Sequence, residues 1–277
     1  MKSVVAKEEN GNVQITFTIP FSLVKKAQEE TIAEMAKDME IPGFRKGKAP
    51  IAKVKEKVSQ AGLIEHSLSH VLPKALGEAI TEHKLRLAVY PKWELISSKD
   101  NEDWQIRGVS CEIPEVLLSD YKKIIAGEIR AASLKKAVPA GRQELSKEEK
   151  EQVVIQALLA NIKIKIPSVL IEEEANSRLS NLLSRLEKLG LALEGYLASS
   201  GKTAEELRAE YANQAKDAIS LDLILSKIAE SEGIKVSEKE IDEAIKVAGT
   251  EENPDRQRIV ESILKRRMAL EFLLKLT

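Results

Sequence analysis

The sequence is short of the residues that make many functions easy to recognise. It has one cysteine, Cys111, so no disulfide can form within the chain. That fits a reducing compartment. Aromatic residues make up only 4%, which leaves Leu, Ile, Val and Ala to carry most burial. No apolar run approaches the ~20 residues that span a bilayer. The opening stretch, MKSVVAKEENGN, lacks the apolar core of a secretory signal. The expectation is a cytoplasmic protein without a membrane partner. The formal net charge is −1 over 277 residues, so no global polyanion-binding field exists and any electrostatic targeting must be local. No GxxxxGK[ST] phosphate loop occurs, so ATP dependence is not expected, and no cofactor is assigned.

Histidine is also scarce. His66 and His70 lie four apart on an expected helix and could both face one metal, but His83 is more than three turns beyond. There is no HExxH string and no cysteine pair. Two partly exposed helical histidines is the simpler reading, and no metal site is expected. Cys111 falls in an expected strand without a nucleophile signature and reads as a small core residue. No catalytic residue is assigned.

What the chain does have is patterning. In NVQITFTI, Val13, Ile15, Phe17 and Ile19 alternate with Gln14, Thr16 and Thr18, which predicts a half-buried strand. Asn10-Gly11 before it suits a tight turn from a partner strand in SVVAK. From Ser22, read as an N-cap, the apolar period becomes helical through Val24, Ala27, Ile32, Met35, Ala36 and Met39, and Pro42-Gly43 ends it. Helical spacing resumes after Pro50 and runs to Ile80, with Pro73 expected to kink or interrupt it. LRLAVYPKWELIS and DWQIRGVSCEI predict two more strands joined by SKDNE. The order β-β-α-α-β-β predicts an α+β domain over residues 1–116, an antiparallel sheet with helices. Residues 117–145 have weak periodicity with Gly127, Pro139 and Gly141 and read as a linker with at most one short helix or strand. Residues 146–277 read as an all-α domain with helical arms. SKEE, TAEE and SEKE are capping-box patterns, Asn253-Pro254 suits a helix start, and leucine stripes such as Leu179 to Leu189 recur.

One segment stands apart. IPGFRKGKAP, residues 41–50, holds two prolines, two glycines, three basic residues and Phe44. From Gly43 to Lys57 the charge is +5, with Glu56 the only acid. Such a patch can engage phosphates or an acidic protein surface. Phe44 beside Arg45 and Lys46 is a composition common at binding hot spots. The competing reading folds Phe44 onto its own domain and leaves the lysines merely solvated.

The string GFRKGK, following a helix in an α+β domain, resembles the ribosome-docking signature of trigger factor, the bacterial nascent-chain chaperone. The resemblance covers roughly residues 1–118 and includes IPEVLLSDYK. IPSVLIEEEANSRL and GKTAEELRAEYANQAK resemble that family's helical C-terminal domain. The resemblance implies that Gly43, Phe44, Arg45 and Lys46 carry docking beside the ribosomal exit tunnel, with Lys48 in the same basic run. It also implies an ATP-independent holdase for nascent or unfolded polypeptides. The family usually carries a prolyl isomerase domain between these two parts, and the 29 residues from 117 to 145 are too few for one. The expectation is therefore a chaperone that is not an enzyme. Two other functions stay open at this point. A basic loop can bind RNA or DNA, although base-stacking aromatics other than Phe44 are missing around it. A peptidyl-prolyl isomerase is the family's other habit. A chaperone with exposed apolar surface can self-associate, so a homodimer is compatible with the sequence.

Overall fold

The computed structural model describes residues 1–42, 44–48, 50–99, 101–140, 145–248 and 253–276. The chain divides into two units. One comprises Met1–Ile113 with the short segment Pro167–Leu170, and the other comprises Pro114–Ile166 and Ile171–Thr277.

The first unit contains four strands and three helices among its described residues: β1 (Lys2–Lys7), β2 (Asn12–Ile19), α1 (Phe21–Asp38), α2 (Ile51–Lys57), α3 (Gln60–His83), β3 (Lys92–Ser97) and β4 (Trp104–Cys111). The sheet order is β1-β2-β4-β3, and every pairing is antiparallel. The alternation in β2 places Val13, Ile15, Phe17 and Ile19 in the core, where they meet Trp104 and Ile106 of β4 and Leu72, Ala75, Leu76 and Ala79 of α3. Trp93 of β3 lies against this core, 5.8 Å from Phe17 between ring centroids. Its indole fits because residue 108 is glycine. A Cβ there would sit 2.5 Å from Trp93 Cζ3.

Three local readings change. The helix after β2 starts at Phe21, with Pro20 rather than Ser22 at the N-cap position, and the Pro20 ring has no polar atom to cap with. The Phe21 amide instead donates to Asp103 Oδ1 at 2.9 Å, so a residue 82 positions away satisfies a free helix-end donor. Helix α3 runs through Pro73 without a break. Pro73 and Ser69 are both exposed, so the carbonyl that loses its helical bond can turn to water. The expected strand from Leu85 begins only at Lys92, because Pro91 cannot donate to a ladder; Leu87 makes an isolated bridge to Glu112.

The second unit holds α4 (Tyr121–Ala140), α5 (Lys147–Asn161), α6 (Ser168–Lys188, whose first turn belongs to the first unit), α7 (Leu193–Ser200), α8 (Ala204–Ser231), α9 (Glu238–Ala248) and α10 (Pro254–Leu274). Its core joins Tyr121, Ile125 and Ile129 of α4, Val154, Ala157 and Leu158 of α5, Ile224, Leu225 and Ile228 of α8, and Ala269 and Leu273 of α10. The capping boxes at Ser146, Thr203 and Ser237 form as their patterns predict. Asn253 caps α10 by accepting from the Asp255 amide at 3.0 Å.

The linker reading of residues 117–145 needs correction. Most of that stretch is α4, a 20-residue helix. Its apolar side chains are spaced i, i+4 and i+8 at 121, 125 and 129, and all three are buried. Gly127, Pro139 and Gly141 dilute the pattern in composition, but Gly127 is on a side of the helix where an added Cβ would touch nothing within 4 Å.

Candidate functional site

The basic segment leaves α1 at Asp38 and re-enters helix at Ile51. It stands on a small apolar platform of its own. Ile32 of α1, Ile41 and Val54 of α2 are buried together, with Ala36, Met39, Val58 and Leu63 around them. Ile41 is the last side chain to point inward before the tip. The Phe44 amide then donates to Ile41 O at 3.0 Å, and the Lys48 amide donates to Arg45 O at 2.9 Å, so two successive tight turns form the tip. Gly47 adopts φ +76°, and a Cβ there would lie 3.1 Å from the Lys37 carbonyl oxygen. Both facts call for glycine.

Most of the tip is open to solvent. Pro42, Phe44, Arg45, Lys46 and Lys48 are all exposed. Phe44 shows 43% of its surface, a large value for an aromatic residue. Gly43 lies outside the described residues. Lys46 faces Asp38 at 3.7 Å and Lys53 faces Glu56 at 2.9 Å. These are solvent-exposed pairs, worth about 0.2–1 kcal/mol each. Arg45, Lys48, Lys55 and Lys57 make no ion pair among the described residues. The tip therefore offers cations that no near carboxylate neutralises, around a partly exposed aromatic ring.

The residue-by-residue reading of the tip missed Ile51. It lies in the first turn of α2 and is 60% exposed. Helical spacing draws attention to Val54 and Val58, which pack on the platform. A seven-residue helix that buries only Val54 leaves its other apolar position outside. That position directly follows Pro50, on the side of the tip.

The helical unit exposes apolar surface differently. Of the stripe Leu179, Leu182, Leu183, Leu186 and Leu189, only Leu186 is buried, and Leu189 is 71% exposed. Leu191 continues the exposed surface beyond Gly190. In α10, Ile259 and Ile263 are exposed while Leu273 is buried.

The other candidates do not assemble a reactive site. His70 Nε2 lies 3.2 Å from Glu34 Oε2 and His66 is exposed. Among the described residues, no group of three or more His, Cys, Asp or Glu side chains could hold a metal ion. Cys111 is fully buried in β4. Among the described residues, no helix is long and apolar enough to cross a membrane.

The family model for the bacterial trigger factor protein matches residues 1–131, and the model for the bacterial trigger factor C-terminus matches residues 130–275. The chain belongs to the trigger factor family. The two matched stretches meet, with no chain left between them. Trigger factor of Streptococcus agalactiae serotype Ia is 36% identical over 110 residues, covering 40% of this chain and 26% of that protein. Trigger factor of Streptococcus mutans serotype c is 30% identical over 158 residues, covering 57% of this chain and 36% of that protein. The chain thus spans about a quarter to a third of the length of these curated relatives. A solved structure of the trigger factor chaperone, from work on promiscuous substrate recognition in folding and assembly activities, matches with a TM-score of 0.61 at 13% identity and covers 100% of both chains. That likeness bears on the fold: an antiparallel sheet unit with helices, then a helical unit.

Proposed function

We propose that this chain is an ATP-independent chaperone that docks on the ribosome near the exit tunnel and holds nascent or unfolded polypeptides. One observation carries the reading. The tip of residues 41–50 is shaped by Gly47 and propped by Ile41, and it presents Phe44, Arg45, Lys46 and Lys48 outward. A rigid base with an exposed ring and unpaired cations suits contact with ribosomal RNA and an acidic protein patch. Gly43 completes the docking motif by resemblance. Ile51 extends its apolar part. Holding falls mainly to the helical unit, whose exposed Leu183, Leu189, Leu191, Ile259 and Ile263 provide apolar contact area without a deep pocket.

Further features follow from the same reading. The protein works in the cytoplasm, needs no cofactor, and can form a homodimer when clients are scarce. The same reading expects no prolyl isomerase activity, and the abutting of the two family regions supports that expectation. A refolding-based isomerisation assay is expected to return the uncatalysed rate, tens to hundreds of seconds at 25 °C. Catalysis that persists after rigorous removal of contaminating isomerases would refute this.

The docking claim is tested by pelleting with intact ribosomes and, in parallel, with free RNA. The triple variant Phe44→Ala, Arg45→Ala, Lys46→Ala is expected to keep its circular dichroism spectrum and to stay in the supernatant. Pelleting of the triple variant like the parent would remove docking from this tip. Equal affinity for free RNA would instead favour a nucleic-acid-binding protein.

A further inference from the structure

One face of α10 carries two adjoining clefts with rims of opposite charge. The first, of about 280 Å³, has a floor of Val236, Leu264 and Met268 and a rim of Glu240, Glu243 and Arg267, the last paired with Glu271. The second, of about 420 Å³, has a floor of Leu145 and Leu274 and a rim of Lys147, Lys150 and Lys275. Glu271 lines both clefts. Its charge is already met by Arg267 at 3.3 Å, so it divides the clefts without biasing either. Glu240 is partly engaged, accepting from the Ser237 amide at 2.9 Å. Glu243 and all three lysines make no ion pair among the described residues.

The clefts follow one another along a single ridge. Leu264, Met268, Glu271 and Lys275 are spaced i, i+4, i+7 and i+11, so they share one helix face. Eleven residues at 1.5 Å each make a track of about 16 Å. An extended peptide rises about 3.3 Å per residue, so five residues cover that track. The floors are half-buried apolar side chains, and charge of opposite sign waits at the two ends.

We propose that this ridge is a dipolar peptide cradle. It takes an extended client segment with an apolar middle, a basic side chain at the α9 end and an acidic one at the α5 end. The basic side chain lays its alkyl stem on Leu264 and Met268 and directs its head to Glu243. The acidic side chain meets Lys150 and Lys275. The assignment rests on the chaperone reading above and adds to it the client chemistry that one place on the helical unit selects. Charge complementarity decides the occupant. A uniformly basic segment would bring like charge to the lysine end, and a uniformly acidic one would do so at the glutamate end.

The full chain is titrated with four labelled unstructured peptides that share the core Leu-Ala-Leu-Val. The residues flanking the core are Lys and Glu, Lys and Lys, Glu and Glu, or Gln and Gln, and binding is followed by fluorescence anisotropy at low and high salt. The Lys/Glu peptide is expected to bind roughly three- to tenfold more tightly than the other three at low salt, the range that two partly exposed ion pairs allow. Glu243→Lys should move the preference towards the Glu/Glu peptide, and Lys150→Glu combined with Lys275→Glu should move it towards the Lys/Lys peptide. Equal binding of all four, absence of binding, or unmoved preferences in both variants would overturn the cradle. Suppression of client aggregation by the same preparations separates the two claims. Suppression with no charge preference removes the cradle alone, whereas loss of both removes the chaperone reading as well.

Discussion

The two units bury their apolar side chains on different terms. In the α+β unit, strand β2 puts every second residue into the core and none of those four remains exposed. In the helical unit, a single helix such as α10 buries Ala269 and Leu273 at one end and leaves Ile259 and Ile263 outside at the other. Cross-strand pairing fixes each β2 residue in register, and α3 packs on the face that the four apolar residues share. A long helix needs only part of its stripe to stay docked, and the remainder is free for other work. The α+β unit is thus organised to hold one tip steady, and the helical unit to leave apolar length uncovered.

The hardest test of that contrast removes α4. A fragment beginning at Ser146 lacks Tyr121, Ile125 and Ile129, each buried in the helical core. Truncating one large buried side chain costs about 2–5 kcal/mol, and losing three is comparable with the whole usual reserve of a domain. Residues 146–277 are expected to lack a cooperative thermal transition, while residues 114–277 should show one. Cooperative melting of the shorter piece would make α4 dispensable after all.

A smaller effect is expected from the sheet. Gly108→Ala drives a methyl group into the Trp93 ring and to 3.0 Å from Pro91 Cβ. Overpacking of this kind costs about 1–3 kcal/mol. Denaturant unfolding followed by Trp93 and Trp104 fluorescence should shift, and since both tryptophans lie in the first unit, the signal reports that unit. An unchanged midpoint would mean that the indole moves aside freely.

The slightest effect concerns a polar clasp in the helical unit. Glu232 receives the Tyr121 hydroxyl at 2.5 Å and the Lys122 ammonium at 2.7 Å. The bond from Lys122, and then that from Tyr121, holds the Glu232 carboxyl below its ordinary value of 4.5. Burial pushes the Tyr121 hydroxyl up, and the facing carboxylate adds to that. A depressed carboxyl stabilises the fold above about pH 4.5, and the contribution fades as pH falls through the folded value. Glu232→Gln should therefore be less stable than the parent near neutral pH, with the gap closing on acidification below pH 4.5. A gap that stays constant with pH would assign the effect to packing.

How much could be read in advance follows the same division. Alternation in β2, the capping boxes and the basic tip were legible because each is a local pattern with a local cause. The cap on α1 was not, because Asp103 lies 82 residues from Phe21 and nothing near Phe21 announces it. Helix α4 was hidden by Gly127 and by Pro139, although 121, 125 and 129 share a face. Ile51 was hidden because apolar spacing alone does not say which side of a short helix meets the platform.

The platform under the tip carries a consequence for inheritance. Ile32, Ile41 and Val54 come from three separate stretches of chain, yet they are the footing for a loop whose outward residues could change almost freely without unfolding anything. Drift in the exposed letters and drift in the footing should therefore leave different records. A lineage that abandons its docking partner would be expected to lose Phe44 and Arg45 early and to keep Ile32, Ile41 and Val54 long afterwards, as a fossil of the attachment they once supported.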